Sequence, residues 1–155
     1  MEALIALGVA TIVVSAMTIA SITALNNSDF SKYQNLATQY AQQGMEVVRQ
    51  QGQTDWSTFA AKAGVNSANS YCLDQTIPPK FTSLQGCAKI GDQNGNPFFL
   101  RDVTLLQTAS GDLGCRGAIQ ATVDVSWTDG KCTSGVFCHK VTLESCFADL
   151  KAVSG

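Results

Sequence analysis

The sequence predicts an α+β fold: a long N-terminal helix whose second half packs on an antiparallel sheet of three to four strands. Three observations lead there. The first 28 residues form an apolar run with a single charge, and the helical pattern continues beyond it without a break. Two segments near the C-terminus alternate apolar and polar residues, as half-buried strands do. Six cysteines, all beyond the apolar run, mark a domain tied by disulfides.

The run "MEALIALGVATIVVSAMTIASITALNNSDF" carries one carboxylate, Glu2, and no further charge until Asp29. At about 1.5 Å per residue, a helix of roughly 25 residues crosses a bilayer core about 30 Å thick. A cleaved secretory signal fits poorly, because the run has no basic n-region and exceeds an apolar core of about 7–15 residues. Two readings remain. One is a plain membrane anchor with Glu2 in the headgroup layer. The other is a helix that begins in a membrane and ends in a protein filament. Small residues such as Ala3, Ala6, Gly8 and Ala10 let helices approach closely, although they are also common in membrane helices generally. Gly8 is the only glycine of the run and proline is absent. β-Branched residues from Thr18 to Thr23 weaken a helix slightly. A continuous helix and a short local melt both stay open.

The helix is expected to continue over about residues 29–51. Phe30, Tyr33, Ala37, Tyr40, Ala41, Gly44, Val47 and Val48 recur at spacings of three and four, forming one apolar stripe. Ser31, Lys32, Gln34, Asn35, Gln39, Gln42, Gln43, Glu46 and Arg49 stand between them as a solvated face. No Pro- or Gly-rich linker separates the halves. The domain reading is therefore a hydrophobic helix half over 1–28 and a head over 29–155 that includes the amphipathic half.

Within the head, "TDWSTFAAKAG" reads as a short helix closed by Gly64. "VNSANSYCLDQTIPPKF" is polar, holds Pro78 and Pro79, and reads as loop. "GDQNGNP" is a turn cluster. Its Asp92, Asn94 and Asn96 resemble the start of a calcium loop, but the acidic closing ligand is missing, so a turn is the better reading. "NPFFLRDVTLLQ" is strand-rich. In "AIQATVDVSW", Ile119, Ala121, Val123, Val125 and Trp127 alternate with polar residues. "VFCHKVTLESCF" alternates too, with Phe137, Val141, Leu143 and Phe147 on one side. The two make an antiparallel hairpin around "TDGKCTSG". Setting Val123 opposite Val141 puts Trp127 opposite Phe137 on the core face. Cys115 then comes near Cys146, Cys132 and Cys138 flank the turn end, and Cys72 and Cys87 close a loop of their own.

The chain of 155 residues suits one domain, with net charge -2 and a pI near 5.2. That balance does not indicate nucleic acid as a partner. The cysteines include no Cys-x-x-Cys pair, and His139 directly follows Cys138, a poor spacing for two ligands on one ion. Disulfides are favoured over a metal, and no cofactor is expected. His139, the single histidine, reads as a structural strand residue. No Gly-x-Ser-x-Gly, His-Glu-x-x-His or phosphate-binding glycine loop appears, so no enzyme is expected.

"EALIALGVATIVV" resembles the N-terminal segment of type IV pilins and type II secretion pseudopilins. "QQGMEVVRQ" and "VDVSWTDG…KVTLES" resemble minor-pilin-like members. The resemblance covers the first fifty residues well, the hairpin loosely and the middle not at all. In the family, a glycine ends a short basic leader and a glutamate follows a few residues later. Only Met1 precedes Glu2. The leader and first mature residues are therefore expected to lie before this sequence, or the pattern is altered. The resemblance implies the pilin fold and a filament subunit, with helices bundled in the filament core and heads outside. Its partners would be other copies of itself, the pilus assembly machinery and prepilin peptidase. It would reside in the bacterial cytoplasmic membrane before assembly and on the cell surface after it. The family's glutamate carries over to Glu2, whose carboxylate would set register against a neighbour's N-terminal amine, often N-methylated. A buried carboxylate is costly unless paired. An exported, membrane-anchored binding domain that does not polymerise, and a secretion pseudopilin, are the alternatives.

Overall fold

The computed structural model describes residues 2–65, 67–73, 81–83, 87, 89–90, 99–108, 115, 118–128, 132–133 and 137–149. The first helix, α1, runs Glu2–Thr54, and a short second helix, α2, runs Trp56–Ala60. Five strands follow: β1 (Asn69–Leu73), β2 (Phe81–Ser83), β3 (Phe99–Gln107), β4 (Ile119–Trp127) and β5 (His139–Phe147). They form one antiparallel sheet in the order β2-β1-β3-β4-β5. The fold class is therefore α+β, with a sheet of five strands where three or four were expected. The chain divides into two compact units, Met1–Asn35 and Leu36–Gly155, and α1 contributes to both.

In the second unit, α1 packs on the sheet through a narrow stripe of small side chains. Ala37, Ala41, Gly44, Val48 and Gly52 are buried at spacings of three and four. Tyr40 and Val47 flank the stripe and are half-buried, while the polar residues from Gln39 to Arg49 face outward. Gly44 marks the closest approach. A Cβ there would stand 2.9 Å from Val123 Cγ1, 3.0 Å from Arg101 Cδ and 3.2 Å from Leu73 Cδ2. Glycine is therefore required for space rather than for an unusual backbone angle.

α1 continues through Gly52 to Thr54, and α2 is shorter than the segment 54–64 suggested. The Asp55 carboxylate caps it, accepting from the Thr58 backbone N–H at 3.1 Å and the Ser57 hydroxyl at 2.8 Å. Gly64 does not close this helix; the residue after α2 is Ala61, in right-handed conformation. Gly64 instead bridges β3, donating to the Leu105 carbonyl at 3.2 Å and accepting from Gln107 N–H at 2.8 Å. A Cβ on Gly64 would collide with the Ser67 carbonyl.

The segment read as loop over 65–81 contains β1 and reaches the first residue of β2. Tyr71 and Leu73 lie on the helix-facing side with Val103 and Arg101, and Tyr71 donates to the Lys62 carbonyl at 2.8 Å. The expected alternation in β4 is present: Ile119, Ala121, Val123, Val125 and Trp127 are all buried. The β4–β5 register differs from expectation by two residues. Val125, not Val123, opposes Val141, and Trp127 opposes His139 rather than Phe137. A shift of two keeps every side chain on its expected face, so the alternation alone could not separate the registers.

An aromatic row crosses the core. Tyr40 meets Phe99 edge-on with centroids 5.1 Å apart, Phe99 meets Trp127 at 6.2 Å, and Trp127 meets His139 at 5.3 Å. Each contact joins neighbouring elements, from α1 through β3 and β4 to β5.

Candidate functional site

The first unit is helix alone. Glu2 lies in the first turn of α1. It is solvent-exposed, as are Ala3, Ala6, Gly8 and Ala10. At about 100° per residue, Ala3, Ala6 and Ala10 share one stripe, whereas Gly8 lies about 140° around the helix from Ala3. The small residues therefore fall on two faces rather than one. Nothing lies within 4 Å of a Cβ built on Gly8, so nothing in the described chain demands glycine there.

Among the described residues, the large apolar side chains of this helix are exposed. Leu4 is 79% exposed, Met17 66% and Leu25 67%. The helix is long and apolar enough to cross a membrane. Its hydroxyls bond back to its own carbonyls: Thr11 to Gly8, Ser15 to Thr11, Thr18 to Val14, Ser21 to Met17 and Thr23 to Ile19, at 2.7–2.9 Å. Each hydroxyl proton is thus satisfied without water, which suits an apolar surrounding. α1 is continuous through this region.

The head is closed by three disulfides, Cys72–Cys87, Cys115–Cys146 and Cys132–Cys138, the pairs expected from the sequence. Their Cα atoms are 5.2–5.4 Å apart, within the ordinary range. Three disulfides fit an oxidising, extracytoplasmic compartment. The calcium-like residues Asp92, Asn94 and Asn96 lie outside the described residues.

The sheet face turned away from α1 is polar. Asp102 on β3 stands directly opposite Asp124 on β4. Asp124 accepts from Lys140 Nζ at 3.1 Å and from the Thr142 hydroxyl at 2.5 Å. Burial, and then the neighbouring Asp124 charge, push the Asp102 carboxyl up to about 6, while Lys140 acts weakly in the opposite sense. Sequence reading missed this pair. Both aspartates occupy the polar phase of their strands, but only the register of β3 on β4 makes them neighbours.

At the other end of α1, a groove is lined by residues that include Val47, Gln50, Thr54, Phe59 and Lys62. Its one carboxylate, Asp55, is engaged in capping α2, and those hydrogen bonds hold it down at about 2. At the hairpin tip, Cys132, Cys138 and His139 bring their donor atoms within 4.8 Å of one another. The two sulfurs are joined in a disulfide, so they offer no thiolate to a metal in this state. His139 is half-buried, with its ring tilted 31° over Trp127.

Comparison with protein-family models, with curated proteins and with solved structures finds no match to this chain.

Proposed function

We propose that this chain is a structural subunit of a type IV pilus or a pilus-like filament. The observation that carries the reading is the exposed apolar helix surface from Leu4 to Leu25, in a chain whose six cysteines are all paired in disulfides. Such a surface needs either lipid or other helices. α1 continues from the first unit into the second without a linker. A filament uses both properties: lipid holds the subunit before assembly, and neighbouring helices bury it afterwards.

In this reading Glu2 sets the axial register. Buried among apolar neighbours, its carboxylate is stable only beside a cation, and the N-terminal amine of another copy supplies one. The partners are further copies of the chain, the pilus assembly machinery, prepilin peptidase and the bacterial cytoplasmic membrane before assembly. The filament ends on the cell surface. In this reading the head carries no catalytic role.

A second reading is an exported binding domain anchored in the membrane without polymerising. The internally bonded hydroxyls favour it, since they suit permanent residence in lipid. A secretion pseudopilin is a third, differing in the filament it joins rather than in its physics.

Glu2→Ala and Glu2→Gln separate the first two readings. In producing cells, both variants should fold and reach the membrane but leave the sheared surface fraction. Wild-type amounts of Glu2→Ala in that fraction would overturn the register role.

A further inference from the structure

We propose that the hairpin tip is a redox-gated metal site, in which Cys132, Cys138 and His139 bind one thiophilic divalent cation once their disulfide is reduced. Neighbouring strand residues point to opposite faces, which made Cys138 and His139 a poor pair on sequence grounds. Here β5 begins at His139, so Cys138 precedes the strand and escapes that alternation. The donor atoms of Cys132, Cys138 and His139 consequently lie within 4.8 Å of one another. Two thiolates and one imidazole suit Zn²⁺ and its spectroscopic substitute Co²⁺, with water filling a fourth position.

The surroundings also suit a ligand set. The His139 ring lies beside Trp127, with centroids 5.3 Å apart, which restricts its orientation. Thr128 Oγ1 stands 3.3 Å from Cys132 Sγ and can donate to a thiolate. The redox step balances with a dithiol reductant. Two electrons and two protons convert the Cys132–Cys138 bond into two thiols, and the reductant becomes a disulfide. Metal binding then releases the thiol protons, so affinity rises with pH. In the oxidised form both sulfurs are committed to each other and the site is closed.

Exposure favours this bond as the first to open. Cys138 is exposed and Cys132 half-buried. Cys146 is exposed and Cys87 half-buried too, but their partners Cys115 and Cys72 are 5% and 1% exposed, so only the 132–138 bond has neither cysteine buried. The test uses the full chain in detergent micelles under limiting dithiothreitol, with the freed thiols located by peptide mapping. The expected result is that Cys132 and Cys138 are freed first. The reduced chain should then bind one Co²⁺ with a thiolate charge-transfer band and tetrahedral d–d bands. The oxidised chain and the Cys132→Ser/Cys138→Ser variant should give neither. His139→Ala should weaken binding at least about tenfold, with far-UV circular dichroism unchanged. No charge-transfer band in the reduced chain, or equal affinity in His139→Ala, would overturn the proposal.

Discussion

Arg101 reaches from β3 to the backbone of α1, its Nη1 donating to the Tyr40 carbonyl at 3.0 Å. Its Nε donates to the Leu73 carbonyl on β1 at 3.3 Å. One buried guanidinium thus holds helix and sheet together at the height of Gly44, whose missing side chain makes the room. A buried arginine is tolerable only when its donors are engaged, and these two bonds belong to that set.

Gly44 is therefore a steric requirement, and Gly8 is not. Gly44→Ala forces a methyl against Val123, Arg101 and Leu73, and overpacking of this kind typically costs about 1–3 kcal/mol. Its gain in helix propensity, up to about 1 kcal/mol, offsets part of that loss. The net expectation is a lower melting temperature by near-UV circular dichroism of the full chain in detergent. Gly8→Ala meets nothing within 4 Å and should leave that melting temperature unchanged. Equal behaviour of the two variants would contradict the packing argument.

Asp102 makes stability depend on pH. Its carboxyl is raised from 3.8 to about 6, so the folded head holds that proton more tightly than the unfolded chain does. Stability from this group is greatest below about 4, falls as pH rises through about 6, and stays low above it. Asp102→Asn removes the charged form and should stabilise the chain at pH 7.5 relative to wild type. The gain is on the order of 1 kcal/mol after allowance for solvent screening. The difference should vanish near pH 4. Denaturant unfolding at the two pH values measures it, and a variant less stable at pH 7.5 would refute the assignment.

Asp55 acts with the opposite sign. Its carboxyl is held at about 2 by the Thr58 and Ser57 hydrogen bonds. The cap is fully effective above pH 3.8 and is lost as pH falls through about 2. Asp55→Ala should loosen α2 at neutral pH, seen as faster amide exchange at Thr58, while Asp55→Asn, which still caps, should retain most protection.

The disulfides should differ in weight. Cys115–Cys146 spans 31 residues and Cys132–Cys138 spans 6. Loop-closure entropy assigns them about 3.7 and about 2.2 kcal/mol respectively. Replacing both cysteines of each pair by serine should therefore lower the melting temperature more for 115–146 than for 132–138. The reverse order would show that the hairpin tip, not β5's far end, holds the edge strand in place.

The features legible in the sequence are those written in local periodicity. The stripe from Ala37 to Val48 shows the 3.6-residue period, and the alternation from Ile119 to Trp127 shows the two-residue period. β1 escaped because it is five residues long and opens with Asn69 and Ser70, while its Cys72 is buried despite sitting on the polar-facing phase. The hairpin register escaped because a slip of two leaves Val141 and Leu143 on the same face. The Asp102–Asp124 pair and the Cys132–Cys138–His139 cluster depend on register and on where β5 starts. Neither is encoded in spacing along the chain.

In the proposed filament, the surface from Leu4 to Leu25 is covered by copies of the same helix. Immunogold electron microscopy of material sheared from producing cells, using antibody to the head, tests it most directly. The expected result is thin fibres labelled along their length by the head. Absence of labelled fibres, with the chain recovered only as detergent-extracted monomers, would contradict it and leave the anchored domain as the reading.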